Sequence, residues 1–197
     1  MKKGVLVGLG VVLGVTMIGV GALWFTRPSP FYGAVIEQPV TAPDFTLTDQ
    51  QGQPFRLSQQ TGRAMLLFFG YTSCPDECPA TLVRFQQIRA ELGRDADHVQ
   101  FLLISVDPET DSPAKMSAFI AKFDPTFIGL TGARAELAPV WQKYGVTVNK
   151  LAGVEIQVEH STRLYAIDTR GNLRLTYDAD SAPEEIASDL RQLARNR

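Results

Sequence analysis

The sequence predicts an α/β fold with parallel strands at its centre and an apolar helix in front of it. Two apolar runs, residues 65–69 and 99–106, have the length of buried strands. Between them, the apolar residues from Cys78 to Leu92 recur at helical spacing. An order of strand, helix and strand is typical of a parallel βαβ unit with a right-handed crossover. Residues 4–25 carry no charge and predict the additional helix.

Further elements are predicted on both sides of this unit. Period-2 alternation over residues 44–57, with Gly52 at the turn, favours a hairpin. Ser112 followed by Pro113 is a typical helix start, and a second hairpin is expected around Gly171. The remaining predicted elements are a short strand at residues 127–130, a helix over residues 137–144 and a closing helix over residues 186–193.

Both cysteines lie where the first buried strand meets the helix that follows it. Cys74 is predicted in the loop and Cys78 at the start of the helix. Free N–H groups and the positive end of the helix dipole favour a deprotonated thiol at such a place. Central parallel strands with cysteines at a strand-to-helix junction are typical of the thioredoxin-like fold. In open α/β sheets, functional sites lie beyond the carboxyl ends of the strands.

The spacing of the two cysteines leaves several roles open. Residues four apart on a helix have Cβ atoms about 5–6 Å apart, whereas a disulfide needs about 3.5–4.5 Å. The pair can therefore form a disulfide only with local adjustment, and it needs less adjustment to hold a soft metal ion. A purely structural disulfide is the weaker interpretation, because closing so short a loop removes little entropy from the unfolded chain.

Composition and charge narrow the class of protein. The chain has 197 residues, of which 45% are hydrophobic and 20% are charged. These values are ordinary for one globular domain with an appendage. The net charge of −2 gives no indication of nucleic-acid binding.

The apolar segment near the N-terminus predicts a membrane anchor. A helix of about 20 apolar residues spans a bilayer, and residues 4–25 exceed the apolar region of a cleaved signal peptide, which is the alternative. Lys2 and Lys3 precede the segment and only Arg27 follows it closely, so we expect a cytoplasmic N-terminus and an exported domain. The lack of an Arg- and Ser-rich transit segment favours a bacterial inner membrane, with the domain in the periplasm, over a mitochondrion.

The domain organisation follows from these patterns. We predict a cytoplasmic N-terminus and transmembrane anchor at residues 1–27 and a Pro-rich linker, or strand-like lead, at residues 28–40. Residues 41–197 are predicted to form the thioredoxin-like domain. Export places both cysteines in an oxidising compartment, where thiols become oxidised unless a reductant or a metal protects them.

A third ligand for a metal ion would come from one of two histidines. His98 lies in a polar stretch before a strand and is expected to be solvated. His160 follows a hairpin-like insertion at residues 146–158 and precedes a strand, so its loop can fold over the cysteines. Two thiolates and one imidazole form a ligand set that suits copper. Zinc is also competent, although structural zinc sites usually have four protein ligands. The spacing alone leaves open a loop histidine that pairs with Glu159 or with a backbone carbonyl.

Four segments of the chain resemble the SCO/SenC family, in the order in which that family has them. They are a cysteine motif at residues 68–79, an Asp-Pro loop at residues 105–111, a segment at residues 127–132 and a histidine segment at residues 158–162. The resemblance runs from about Pro39 to the C-terminus. It departs from the family's pattern at Thr110, where Arg is frequent, and at Glu159, where Asp is frequent.

The resemblance implies a thioredoxin-like domain that binds one copper ion, Cu(I) or Cu(II), through Cys74, Cys78 and His160. It also implies assembly of the binuclear copper centre of cytochrome c oxidase, by copper delivery, by thiol reduction through a redox-active Cys74–Cys78 disulfide, or by both. The expected partners are the copper-bearing oxidase subunit and other copper chaperones. Asp107 and Asp111 are expected to contact a partner or to cap the next helix, and the cap is favoured for Asp111.

Two other functions remain as alternatives. A thiol–disulfide oxidoreductase would use the same thiols without a metal ion, although thioredoxin-type enzymes have a shorter spacing between their cysteines. A thiol peroxidase is favoured least, because Tyr71 stands where the loop of peroxiredoxins usually has Thr.

Overall fold

The computed structural model of this chain describes residues 31–149, 157–159, 163–178 and 180–195. Within those ranges, no helix has the length and apolar character needed to cross a membrane. The predicted anchor at residues 4–25 and the predicted ligand His160 lie outside the described residues, and both stay predictions.

The described residues form ten strands and four α-helices. The strands are β1 Ala34–Thr41, β2 Thr46–Asp49, β3 Pro54–Arg56, β4 Ala64–Gly70, β5 Val99–Ser105, β6 Ile128–Thr131, β7 Thr147–Asn149, β8 Gln157–Glu159, β9 Leu164–Ile167 and β10 Asn172–Tyr177. The helices are α1 Glu77–Leu92, α2 Pro113–Ile120, α3 Arg134–Lys143 and α4 Pro183–Arg195. Eight strands make one mixed sheet in the order β1-β10-β9-β4-β5-β6-β2-β3, and β7 pairs with β8 in a separate sheet.

The centre of the large sheet is the pair β4 and β5. Every residue of β4 is buried, because an apolar run without alternation needs cover on both faces. The two strands pair in parallel from Ala64 opposite Val99 to Gly70 opposite Ser105. Each large apolar side chain buried here contributes about 1.5–3 kcal/mol to folding. Parallel pairing brings the carboxyl ends of both strands to one edge of the sheet.

The helix after β4 begins and ends where the sequence predicts. Because α1 begins at Glu77, Cys78 and Pro79 lie in its first turn, where the missing N–H of proline costs no intrahelical hydrogen bond. Gly93 ends the helix with a φ of 57°, a left-handed value that glycine adopts without strain. The predicted order of strand, helix and parallel strand is confirmed.

The two predicted hairpins are also confirmed. β2 pairs with β3, and β9 pairs with β10, both antiparallel. Gly52 and Gly171 lie at the two turns with φ values of 80° and 82°. The insertion after α3 contains the pair β7 and β8, in agreement with its hairpin-like pattern.

The edge strand β1 falls mostly within residues 28–40, which the sequence predicts to be a linker or a strand-like lead. It pairs antiparallel with β10, although the register shifts between Val35 and Val40. Pro39, in that interval, has no N–H to donate, which an edge strand tolerates. The interrupted register hides the period-2 alternation by which a strand is recognised. The sheet therefore begins at Ala34, within the segment that the sequence predicts to be a linker or a strand-like lead.

A buried carboxylate on α4 holds the start of the domain. Asp189 is 0% exposed, and its Oδ2 accepts the N–H of Tyr32 at 3.0 Å, the N–H of Gly33 at 2.9 Å and the hydroxyl of Tyr177 at 3.1 Å. These donors offset the cost of removing a carboxylate from water. The chain that enters the sheet is thereby tied to the last helix.

We expect Asp189→Asn to lower the free energy of unfolding by about 1–3 kcal/mol, because the amide accepts fewer donors and leaves one of them unpaired. Urea unfolding of the full chain in detergent, followed by circular dichroism, measures the change. Asp180 is exposed, so the control Asp180→Asn should change the free energy by less than about 0.5 kcal/mol. Equal effects of the two substitutions would contradict the role given to Asp189.

Candidate functional site

The two cysteines lie at the carboxyl end of β4. Residues 71–78, which we call the sulfur loop, lead from β4 into α1. Cys74 lies in the loop and is partly buried, whereas Cys78 is the second residue of α1 and is 3% exposed. Both are free thiols. The predicted placement of the two cysteines is confirmed.

Backbone N–H groups donate to both sulfur atoms. The N–H of Cys78 donates to Sγ of Cys74 at 3.3 Å, and the N–H of Tyr71 donates to Sγ of Cys78 at 3.5 Å. The first of these donors belongs to the first turn of α1, where N–H groups have no intrahelical acceptor. The side chain of Asp76, at the N-cap, makes no capping hydrogen bond, so the Cys74 sulfur takes that role. Such donors favour negative charge on sulfur.

Burial nevertheless dominates at Cys78. Desolvation raises the pKa of the Cys78 thiol far above its ordinary value, the Tyr71 N–H opposes this effect, and Cys74 and Asp111 raise the pKa further. The expectation that a thiol at a helix N-terminus loses its proton easily is therefore wrong for Cys78. A soft metal ion competes strongly with this proton for the Cys78 sulfur.

Glycine at position 70 leaves room for the Cys78 sulfur. A Cβ atom built on Gly70 would lie 2.8 Å from that sulfur and 2.7 Å from the side chain of Phe68. Both neighbours are buried, and a close-packed interior lets them move little. The absence of a side chain on the last residue of β4 therefore lets the sulfur pack directly on the strand.

The Asp-Pro loop after β5 reaches the sulfur loop through Asp111. Ser112 caps α2 by accepting the N–H of Lys115, so the helix cap that the sequence favours for Asp111 is wrong. Asp111 is instead 1% exposed, and its Oδ1 accepts the hydroxyl of Thr72, a residue of the sulfur loop, at 2.6 Å. Asp107 is buried as well, at 4% exposed. No sequence signal beyond the Asp-Pro motif itself pointed to the contact between Asp111 and Thr72.

The structure describes only one of the two histidines. His98 is exposed at the end of the 3₁₀ turn Gly93–His98, which precedes β5. Because β5 runs from there toward the Asp-Pro loop, His98 lies at the opposite end of the sheet from the sulfur loop. His160 lies outside the described residues. Within the part of the chain that the structure describes, no three Cys, His, Asp or Glu side chains come close enough to hold a metal ion.

The fold and the sulfur loop define a class of protein. A mixed sheet with two thiols at the end of its central strand is typical of thioredoxin-like proteins. The SCO1/SenC family model matches residues 34–195, which is most of the chain. The chain therefore belongs to the SCO1/SenC family.

Individual relatives agree with this assignment. An SCO2-like protein of Rickettsia conorii is 33% identical over 187 residues, and the match covers 89% of this chain and 91% of the relative. ScoI of Bradyrhizobium japonicum, solved with copper bound, is 36% identical with a TM-score of 0.70, over 78% of this chain and 99% of that one. BsSco, described as a member of the Sco family of cytochrome c oxidase assembly proteins, shares the fold at 24% identity with a TM-score of 0.67, over 82% of this chain and 99% of that one. The predicted thioredoxin-like fold and the family resemblance are confirmed.

We expect iodoacetamide to alkylate Cys74 at least about tenfold faster than Cys78 in the reduced, metal-free protein. Cys78 is buried, and its raised pKa leaves little thiolate to react. Time-resolved fragmentation mass spectrometry near neutral pH measures the two rates separately. In urea, where burial is lost, the two rates should become equal. Equal rates in the folded protein would contradict the asymmetry of the two thiols.

Proposed function

We propose that this protein is a membrane-tethered copper chaperone. Its cargo is one copper ion held by Cys74, Cys78 and His160, and it delivers that ion to the copper-bearing subunit of cytochrome c oxidase. The segment at residues 4–25 anchors the chain in the inner membrane of a bacterium, with the sulfur loop on the periplasmic side. Other copper chaperones would supply the ion.

The two sulfurs support copper as the cargo. Both lie at the end of β4, and the N–H of Cys78 donates to the Cys74 sulfur at 3.3 Å, so the two residues are already held together without a disulfide. Thiolate sulfur binds Cu(I), and an added imidazole also accommodates Cu(II). Structural zinc sites usually have four protein ligands. The relative ScoI, solved with copper bound, points to the same metal.

The register of β9 is the observation that supports His160 as the third ligand. Leu164, the first residue of β9, pairs with Phe68, two residues before Gly70 ends the strand that leads into the sulfur loop. His160 precedes Leu164 by four residues, and a fully extended chain of four residues spans at most about 14 Å. The described chain that follows His160 thus enters β9 at the same edge of the sheet as the two thiols.

Export gives the metal a second role. In an oxidising compartment, two thiols this close become oxidised to a disulfide unless something holds them reduced. Lys2 and Lys3 before the apolar segment favour export of everything after it. A bound copper ion occupies both sulfurs and protects them until the partner takes the ion.

One observation favours thiol–disulfide exchange as a second function. Cys74 is partly exposed and lies next to the first turn of α1, so its sulfur is accessible to a disulfide of a partner. Its sulfur would attack a disulfide of the partner and release one partner thiolate. The Cys78 thiol would then give its proton to that thiolate and attack the Cys74 sulfur. This attack would release the second partner thiolate and leave Cys74 and Cys78 as a disulfide, so that two electrons pass to the partner.

We expect the reduced full chain to bind one copper ion, and Cys74→Ser, Cys78→Ser and His160→Ala each to weaken binding by more than about tenfold, because each removes one of three ligands. Dialysis against a Cu(I) chelator measures the affinities. His98 is exposed and lies away from the sulfur loop, so the matched control His98→Ala should bind copper as the wild type does.

His160→Ala also separates the two functions. Thiol–disulfide exchange needs only the two sulfurs, so this substitution should leave the rate of reduction of a model disulfide unchanged. If His160→Ala binds copper as strongly as the wild type while both cysteine variants lose copper binding, His160 is not a ligand of the site.

A further inference from the structure

A buried carboxylate of the Asp-Pro loop accepts hydrogen bonds from the sulfur loop. Oδ1 of Asp111 accepts the Thr72 hydroxyl at 2.6 Å and the Thr72 N–H at 3.1 Å. Oδ2 of the same carboxylate accepts the hydroxyl of Ser105, the last residue of β5, at 2.6 Å. Both oxygens are therefore used, and Asp111 is 1% exposed. One side chain thus joins the sulfur loop to the end of the neighbouring strand.

The backbone of Asp111 is itself held by hydrogen bonds to the Asp-Pro loop and to β6. Its N–H donates to the carbonyl of Asp107 at 2.9 Å, and its carbonyl accepts the hydroxyl of Thr131, the last residue of β6, at 2.6 Å. Ser105 is fixed in turn, because its carbonyl accepts the indole N–H of Trp141 at 3.0 Å. The Asp111 carboxylate is therefore held in place by contacts that lead to β5, β6 and α3, and the sulfur loop is anchored to it.

The hydrogen bonds that the sulfur loop makes around Cys74 are weaker, and one of them is the N–H of Cys78 donating to the Cys74 sulfur at 3.3 Å. The Cys74 N–H donates to the Tyr71 carbonyl at 3.4 Å, which is a long hydrogen bond, and Pro75 has no N–H to donate. Hydrogen bonds to a carboxylate are roughly twice as strong as those between neutral groups, and burial strengthens them further. Thr72, two residues before Cys74, is therefore strongly restrained by this carboxylate.

Cys78 depends on this restraint much less than Cys74 does. Cys78 belongs to α1, its sulfur packs on Gly70, and it accepts the N–H of Tyr71 at 3.5 Å. Loosening Thr72 would therefore move one sulfur and leave the other in place. The separation of the two sulfurs, which decides how well they share one ion, would change.

We propose that Asp111 is a positioning residue that, through Thr72, holds the Cys74 sulfur in reach of Cys78 and thereby sets the rate at which copper is released. The proposal rests on the proposed function for its copper readout. It has a second readout in the metal-free protein, since a looser loop exposes Cys74 to alkylation.

The test compares Asp111→Asn, Thr72→Val and Thr72→Ser with the wild-type full chain. Asp111→Asn keeps the shape of the side chain and removes its charge, Thr72→Val removes only the hydroxyl, and Thr72→Ser keeps the hydroxyl. We expect Asp111→Asn to speed both the transfer of Cu(I) to a chelator and the alkylation of Cys74 by about tenfold, and Thr72→Val to speed both by about threefold. Thr72→Ser should restore both rates to those of the wild type.

Asp189→Asn is the matched control for a merely structural effect. Asp189 is also a fully buried carboxylate that accepts backbone N–H groups and a hydroxyl, but its donors are Tyr32, Gly33 and Tyr177. We expect it to lower the free energy of unfolding as Asp111→Asn does while leaving the copper-transfer and alkylation rates unchanged.

Two results would overturn the proposal. If Asp111→Asn and Thr72→Val lower stability but leave the rates of copper transfer and Cys74 alkylation at wild-type values, Asp111 is a structural residue only. Equal acceleration by Asp189→Asn would show that any loss of stability opens the sulfur loop. A wild-type chain that holds no copper would defeat the proposed function, and the alkylation rates of the same variants would still decide the role of Asp111.

Discussion

The parallel pairing of β4 with β5 is the constraint on which the site depends. The pairing ends with Gly70 opposite Ser105, and just beyond it the N–H of Val106 donates to the Gly70 carbonyl at 2.9 Å. The sulfur loop and the Asp-Pro loop therefore leave the sheet side by side. A slip of one residue in this register would turn every side chain of β4 to the other face, and Gly70 would no longer lie beneath the Cys78 sulfur.

The two sulfurs differ in what surrounds them, and that difference suits a protein that holds an ion and then gives it up. Cys78 is buried, with a pKa raised chiefly by desolvation, and it forms the fixed side of the pair. Cys74 lies in the sulfur loop and is partly exposed, so in the proposed function a partner's ligand would reach it first. In the proposed delivery of copper, exchange of one ligand at a time, beginning at Cys74, would keep the ion bound throughout the transfer.

The central part of the fold could be predicted from the sequence, because it depends on local patterns. Uninterrupted apolar runs mark β4 and β5, and a helical period with Gly93 at its end marks α1. Both cysteines were placed by the same argument. The edge strand β1 could not be assigned in this way, because its partner β10 lies far along the chain and its register is interrupted near Pro39.

The site was less predictable than the fold wherever tertiary contacts outweigh local ones. A helix N-terminus favours a thiolate, but burial reverses the direction of the pKa shift at Cys78. The helix start at Ser112 follows from the sequence and is confirmed, but the inward turn of Asp111 to Thr72 is not visible in the sequence. Neither the pKa shift nor this inward turn follows from residue type and spacing, because both depend on which elements pack together.

Copper K-edge X-ray absorption of the Cu(I)-loaded full chain tests most directly whether two sulfurs and a distant imidazole bind one ion. We expect two sulfur neighbours and the scattering of one imidazole around each copper. We also expect His160→Ala to remove the imidazole contribution while both sulfurs remain. A spectrum with one sulfur neighbour, or with an imidazole contribution that survives His160→Ala, would contradict this set of ligands.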